Sequence, residues 1–97
     1  TTQVFHIEKD GFDVICDAAG KILTDMELLK KIRQWRYEKA KDQKIRPYVI
    51  FNNVTLVDLA TRQPMTREEL LSISGIGEKK VELYGDEIVR IIQGHNK

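Results

Sequence analysis

The residues best suited to chemistry in this sequence are cations that recur one helical turn apart. They lie on the predicted outer face of a long helix, around one aromatic residue, and they are Lys30, Arg33, Tyr37, Lys41 and Lys44. Arg46 and Tyr48 follow that helix directly and extend the same surface. Lysine and arginine neutralise nucleic-acid phosphates, and a tyrosine ring stacks on an unpaired base. The pattern predicts a nucleic-acid-binding surface; a charged helix face that is merely solvated is the competing interpretation.

The distribution of charge supports the first interpretation. Residues 1–27 carry two bases and six acids (−4), residues 28–46 eight bases and two acids (+6), and residues 47–97 six bases and seven acids (−1). The net charge of +1 conceals this concentration in one segment. A single basic segment favours an anionic partner for one face.

A glycine turn offers a second candidate phosphate site. Gly75-Ile76-Gly77 leads into a predicted helix and is followed by Lys79 and Lys80. Free N–H groups at a helix start and two lysines suit a phosphate. A tight interhelical turn explains the same residues equally well.

Catalytic motifs are missing from the sequence. It has no G-x-x-x-x-G-K-[ST] phosphate loop, and His6, Cys16 and His95 lack metal-ligand spacing. The carboxylate pairs Glu68/Glu69 and Asp86/Glu87 both fall at predicted helix starts, where negative charge is favoured. We therefore expect no catalytic residues, no metal and no cofactor in this domain.

Length and composition indicate one soluble domain. The 97 residues are 41% hydrophobic and 32% charged, with no apolar run of membrane-spanning length and no secretory signal. One cysteine excludes an internal disulfide and fits a reducing compartment. We expect a cytoplasmic monomer, associated with the nucleoid if bacterial. Because the first residue is Thr1, we expect an excised piece of a longer chain.

Capping boxes and breakers predict five helices, one long and four short. Thr24 to Glu27 reads as a capping box that opens a helix to about Lys44, with Leu28, Ile32 and Trp35 on its buried stripe. Pro47 ends that helix, and residues 48–51 form a buried connector or a single turn. The later helices are predicted from Asn52 or Asn53 to Pro64, from Thr66 through Ile73, from about Glu78 to Tyr84, and from an Asp86 cap to Gly94, with Gly85 separating the last two.

The N-terminal residues 1–24 form a separate arm. Phe5, Ile7, Phe12, Val14 and Ile15 alternate loosely around a Lys9-Asp10-Gly11 turn, which predicts a short hairpin. A two-stranded ribbon is marginal alone, so we expect it to pack on the helical domain of residues 25–97.

Several stretches resemble the helicase-and-RNase-D C-terminal (HRDC) domain. They are the long helix, R-P-Y-V-I-F-N-N-V-T-L, L-x-x-L-A before a proline, and E-E-L-L-S-I-S-G-I-G-E-K-K-V-E-L-Y-G, which recur in the order and spacing of that family over roughly residues 25–93. The P-Y-V-I-F-N-N-V-T-L stretch resembles the version found in RecQ-type DNA helicases more than that of RNase D.

The resemblance implies an all-α, compact orthogonal bundle of five helices that binds DNA, single-stranded or at forks and junctions, beside a catalytic core. The binding surface it implies is Tyr48 with Lys44 and Arg46, and a second match is Lys79 with Lys80. It further implies that ATP and Mg are used by the parent helicase core. The alternatives are a protein-interaction module that docks on the helicase core and an accessory RNA domain of an RNase-D-like exonuclease.

Overall fold

The computed structural model describes residues 4–97 as a helical domain with an N-terminal hairpin. The strands are β1 (Val4–Lys9) and β2 (Phe12–Asp17), and the helices are α1 (Met26–Gln43), α2 (Pro47–Ile50), α3 (Asn53–Arg62), α4 (Arg67–Leu70) and α5 (Glu78–His95). None of the helices within these residues is long and apolar enough to cross a membrane. The predicted five-helix bundle with a short hairpin is confirmed.

The cap of α1 is Asp25, so the predicted threonine cap was wrong. The Asp25 carboxylate accepts the N–H groups of Glu27 and Leu28, each at 3.1 Å. Thr24 is buried instead, where its hydroxyl accepts the Ile15 N–H at 3.0 Å and lies 2.7 Å from the Thr61 hydroxyl. Thr24 therefore joins the hairpin to α3.

Helix α1 ends in a Schellman motif centred on Lys44. Lys44 is left-handed (φ 57°), its N–H donates to Lys41, and the Ile45 N–H donates to Ala40 at 3.0 Å. Arg46 is then extended, as a residue before proline must be, and Pro47 opens the single turn α2. This part of the prediction is confirmed.

The short helices α3 and α4 are capped by the residue types that the sequence indicates. Asn52 accepts the Thr55 N–H at 2.8 Å, and Thr66 accepts the Glu69 N–H at 3.1 Å. The Glu69 carboxylate reaches back to the Met65 N–H at 3.4 Å. Glu68 and Glu69 lie in the first turn of α4, as expected.

Helix α5 is continuous through Gly85, which corrects the predicted break. Gly85 is buried, and a Cβ there would lie 3.2 Å from Val81 Cγ1 and 3.3 Å from Leu70 Cδ1. The glycine thus allows α4 to approach α5 closely. The bundle has two helices of 18 residues and three short ones, where one long and four short were predicted.

Asp86 and Glu87 consequently lie inside α5 and cap nothing. Both oxygens of Asp86 accept hydrogen bonds from Arg67, at 3.1 and 3.0 Å. Glu87 pairs with Lys39 at 3.0 Å. The two carboxylates tie α5 to α4 and to α1.

An aromatic cluster joins α1, α2 and α5 at the core. The rings of Trp35, Phe51 and Tyr84 lie with their centroids 5.6–5.8 Å apart. The Tyr84 hydroxyl donates to Gln43 at 3.0 Å. Trp35 packs against the buried core, as its position on the apolar stripe predicts.

The hairpin packs on the bundle through β2. Its strands are antiparallel, with His6 opposite Ile15 and Lys9 opposite Phe12. The β2 side chains of Phe12, Val14 and Cys16 are buried, whereas β1 is exposed along its length. Burial of one strand supplies the support that an isolated ribbon lacks.

Candidate nucleic-acid interface

Five cations and two tyrosines form a solvent-exposed surface along α1 and its corner with α2. We call this surface the basic face; it comprises Lys30, Arg33, Tyr37, Lys41, Lys44, Arg46 and Tyr48, all of them exposed. Tyr37 is 56% exposed and Tyr48 is 64% exposed, so neither ring belongs to the core. The helical spacing places Lys30, Arg33, Tyr37 and Lys41 on one side of α1, and the other three residues lie at the corner that follows.

The other three cations of the same segment form polar contacts with other parts of the fold. The Lys31 ammonium lies 3.0 Å from His95 Nδ1, and Lys39 pairs with Glu87. Arg36 is buried and donates to Phe51 O at 2.9 Å and to Asn53 Oδ1 at 3.0 Å. Among residues 4–97, the five cations of the basic face form no side-chain hydrogen bond or ion pair, and Arg33 lies over the Phe12 ring.

Arg36 is a structural residue that the sequence analysis did not single out. Burial lowers the pKa of its guanidinium, with a smaller contribution from the nearby charge of Arg33. Its hydrogen bonds hold the end of α2 and the start of α3 against α1. The signal was present in its spacing, four residues after Ile32 and four before Ala40 on the buried stripe.

The acids of the segment lie apart from the basic face. Glu38 and Asp42 line a depression with Trp35, Lys39 and Glu87 on the side of α1 that meets α5. The sides of α1 therefore differ in charge, which strengthens the positive potential over the basic face.

The corner that presents Tyr48 is held by buried neighbours. Tyr48 and Val49, which follow Pro47, point outward, and the next two residues, Ile50 and Phe51, are buried. With its backbone fixed by a proline and two core residues, the Tyr48 ring is presented at little further loss of conformational freedom.

Lys80 supports this corner from α5. Its ammonium donates to the Val49 carbonyl at 3.0 Å and to the Ile50 carbonyl at 2.6 Å, and lies 5.4 Å from the centre of the Phe51 ring. Two of its three N–H groups are therefore used within the fold. Its neighbour Lys79 is exposed.

The glycine turn is anchored on α3. Gly75 has φ +84°, and a Cβ there would lie 2.4 Å from the Thr55 hydroxyl oxygen. Asp58 accepts the Ser74 N–H at 3.0 Å, and Thr55 donates to the Ser74 carbonyl at 2.8 Å. These contacts account for the turn as a close interhelical connection. Gly77 begins α5 without a side-chain cap.

The hairpin borders the basic face at the N-terminal end of α1. The Arg33 guanidinium lies 5.7 Å from the centre of the Phe12 ring. Asp10, at the hairpin turn, lines a depression with Lys30 and Arg33. A second depression, lined by Lys30, Arg33, Gln34 and Tyr37, continues along the helix.

The fold is that of an HRDC domain. The solved structure described as D. radiodurans RecQ HRDC domain 3 matches this chain with a TM-score of 0.71 and 38% sequence identity, over 74% of this chain and 95% of that one. The HRDC domain family model matches residues 25–92. The chain belongs to the HRDC domain family, and the match begins at the cap of α1.

Curated relatives much longer than this chain include two helicases and, at 30% identity over 73 residues, a ribonuclease D of Shewanella sp.. The chain is 38% identical over 77 residues to the ATP-dependent DNA helicase RecQ of Bacillus subtilis, which covers 79% of this chain and 13% of that protein. It is 37% identical over 70 residues to the ATP-dependent DNA helicase UvrD2 of Mycobacterium tuberculosis, which covers 72% of this chain and 10% of that protein. The chain thus spans about an eighth or less of the length of these two relatives.

Proposed function

We propose that this chain is the accessory DNA-binding domain of a RecQ-like ATP-dependent DNA helicase that acts in DNA repair and recombination. The observation that carries the proposal is the basic face, in which five exposed cations flank two exposed tyrosines. The domain contributes no catalysis of its own. Its ligand is single-stranded DNA or the unpaired strand of a fork or junction.

The residues of the basic face suit the two parts of a nucleotide. Lysines and arginines one turn apart follow a phosphate backbone, and the exposed rings of Tyr37 and Tyr48 offer surfaces for exposed bases. Duplex DNA hides its bases, so tyrosine contacts favour an unpaired strand. Lys80 acts in this proposal by holding the corner, and Lys79 is a peripheral phosphate contact.

The names of the relatives support a helicase as the parent. RecQ and UvrD2 are both named as ATP-dependent DNA helicases. ATP and Mg would be bound by the core of such a parent, and the domain would deliver or hold the DNA strand beside it.

Fluorescence anisotropy with a labelled single-stranded oligonucleotide tests the proposal. If about three phosphates are neutralised, log K falls with log[salt] at a slope of roughly −2, so affinity drops about 16-fold between about 50 and 200 mM salt. We expect Lys41→Glu and Tyr48→Ala to weaken binding. Arg90→Glu serves as the matched control, because it reverses the charge of an exposed cation that lies outside the basic face. Arg90 is on α5, where it lines a depression with Arg67 and Asp86.

Docking on a helicase core is the second candidate function. The observation that favours it is the acidic N-terminal segment, with a charge of −4 over residues 1–27, of which residues 4–17 form the hairpin that packs on the bundle. Binding to the core that persists at high salt and survives charge reversal at Lys41 and Lys44 would support docking. Absence of DNA binding at low salt would reject the DNA-binding proposal.

A further inference from the structure

Strand β1 has one edge that no described residue pairs with. On the far side of β2, the Ile15 N–H donates to Thr24 Oγ1 at 3.0 Å and the Ile15 carbonyl accepts the Leu23 N–H at 2.8 Å. Both backbone groups of Ile15 therefore point away from β1. In an antiparallel pair, two opposite residues either bond to each other or both point their backbone groups away from each other. His6 lies opposite Ile15, so its N–H and C=O point away from β2.

The same alternation fixes the outward backbone groups along the whole strand. Val4, His6 and Glu8 direct their N–H and C=O groups outward, whereas Phe5 and Ile7 bond to β2. In residues 4–97, none of the outward groups forms a hydrogen bond to another segment. The edge offers a ladder of donors and acceptors for a further strand.

The side chains of this edge strand are unusually apolar for an exposed one. Val4 is 48% exposed, Phe5 46% and Ile7 42%. Unpaired edge strands are normally protected by proline, a bulge or charged side chains; β1 has no proline, and its charged residues Glu8 and Lys9 lie at the end next to the turn, away from Val4 and Phe5.

We propose that β1 pairs antiparallel with β1 of a second copy of this chain, around a two-fold axis at His6. The outward groups then meet in register, with His6 opposite His6 and Val4 opposite Glu8 of the second copy. The two hairpins become one four-stranded sheet that runs across the dimer. The proposed dimer replaces the monomer expected from the sequence.

The His6-centred register is favoured by side-chain complementarity. It sets Phe5 opposite Ile7 of the second copy, and Ile7 opposite Phe5, so that two aromatic and β-branched pairs cover the exposed apolar side chains. A register centred on Glu8 would instead place two Glu8 carboxylates directly opposite each other, which is destabilising. The His6-centred register is therefore the more favourable of these two.

The inference is independent of the proposed function. No residue of the basic face belongs to β1, so substitutions in β1 and in the basic face test the two proposals separately. Failure of DNA binding would not affect it, and a monomeric chain would not affect the DNA-binding proposal.

Sedimentation or light-scattering mass measurements on the 97-residue chain, from micromolar to millimolar concentrations, provide the first test. We expect the mass to rise from 11.3 kDa towards twice that value. His6→Pro removes an outward N–H that β2 does not use, so the hairpin should survive while the dimer is lost. A constant mass of 11.3 kDa, or a dimer that His6→Pro leaves intact, would overturn the proposal.

Cysteine cross-linking tests the register of the proposed dimer. It also tests the dimer itself if the His6→Pro variant fails to fold. In the proposed dimer the two His6 Cα atoms lie about 5.5 Å apart, within disulfide range, so His6→Cys should oxidise to a linked dimer. Val4→Cys should not link to itself, because Val4 faces Glu8 of the second copy; mixed with Glu8→Cys it should. Equal self-linking of the His6 and Val4 variants would reject this register.

Discussion

The carboxylate of Asp25 lies 2.7 Å from Nε2 of His95, and so joins the N-cap residue of α1 to the last residue of α5. The Lys31 ammonium lies 3.0 Å from the other ring nitrogen of His95. Since an ammonium only donates, Nδ1 accepts from Lys31 and Nε2–H donates to Asp25. One carboxylate thus caps α1 and fixes the end of α5.

This pair predicts a loss of stability in acid. Burial opposes ionisation of Asp25, but hydrogen bonds from His95 and from the Leu28 and Glu27 amides outweigh it and lower its pKa. A lowered folded-state pKa stabilises the fold above the unfolded pKa of about 3.9 and ceases to do so as the pH falls through the folded value. Urea unfolding from neutral pH down to pH of about 3 should show a smaller acid-induced loss in Asp25→Asn than in the parent chain. An unchanged pH dependence would show that other carboxylates dominate.

Gly85 and Gly94 predict opposite responses to the same substitution within α5. Gly94→Ala meets nothing within 4 Å, so its helix propensity should raise the free energy of unfolding by roughly 0.5–1 kcal/mol. Gly85→Ala gains the same propensity but must displace the Val81 and Leu70 methyl groups. We expect Gly85→Ala to be less stable than Gly94→Ala by about 1 kcal/mol or more, measured by urea unfolding. Equal stabilities would mean that α4 and α5 are not in close contact at Gly85.

The difference between the predicted and observed helices comes from contacts distant in sequence. Glycine and a following aspartate form a common helix boundary, yet at Gly85 the reason for glycine is the Leu70 side chain, 15 residues away. Thr24 and Asp25 are both good caps, and Thr61 together with β2 draws Thr24 inward. Periodicity within α1 was sufficient to predict that Lys30, Arg33, Tyr37 and Lys41 share one exposed side, because these four residues lie on one helix.

Lys44→Gly should separate stability from DNA binding. Lys44 has φ 57°, a conformation that glycine adopts without strain, so the variant should be more stable by roughly 0.5–1 kcal/mol. It also removes a cation of the basic face, so single-stranded DNA should bind more weakly. Lys41→Ala, within the helix, removes a comparable charge without that gain. We expect both variants to bind DNA more weakly than the parent chain. If only the less stable variant lost affinity, the proposed interface would be contradicted.

Tyr48 variants test stacking separately from charge. Tyr48→Ala should cost about 1–3 kcal/mol of binding free energy if the ring stacks on a base, whereas Tyr48→Phe should retain most of the affinity. Because Tyr48 is 64% exposed, neither change should alter the melting temperature much. Anisotropy titrations with matched unfolding curves measure both effects. Equal affinity of the Ala variant and the parent would remove Tyr48 from the interface.

Lys79 and Lys80 are adjacent in sequence but should behave differently. Lys80 satisfies the Val49 and Ile50 carbonyls at the end of α2, which lie 30 residues earlier in the chain, so its role was not visible in the sequence. Lys80→Ala leaves those carbonyls without a charged donor and should lower the free energy of unfolding by about 1.5–3 kcal/mol. Lys79→Ala, at an exposed position, should change stability by less than about 0.5 kcal/mol and weaken DNA binding only through the lost charge. If Lys80→Ala left stability unchanged and reduced DNA affinity, Lys80 would be a phosphate ligand and the corner would be held by Ile50 and Phe51 alone.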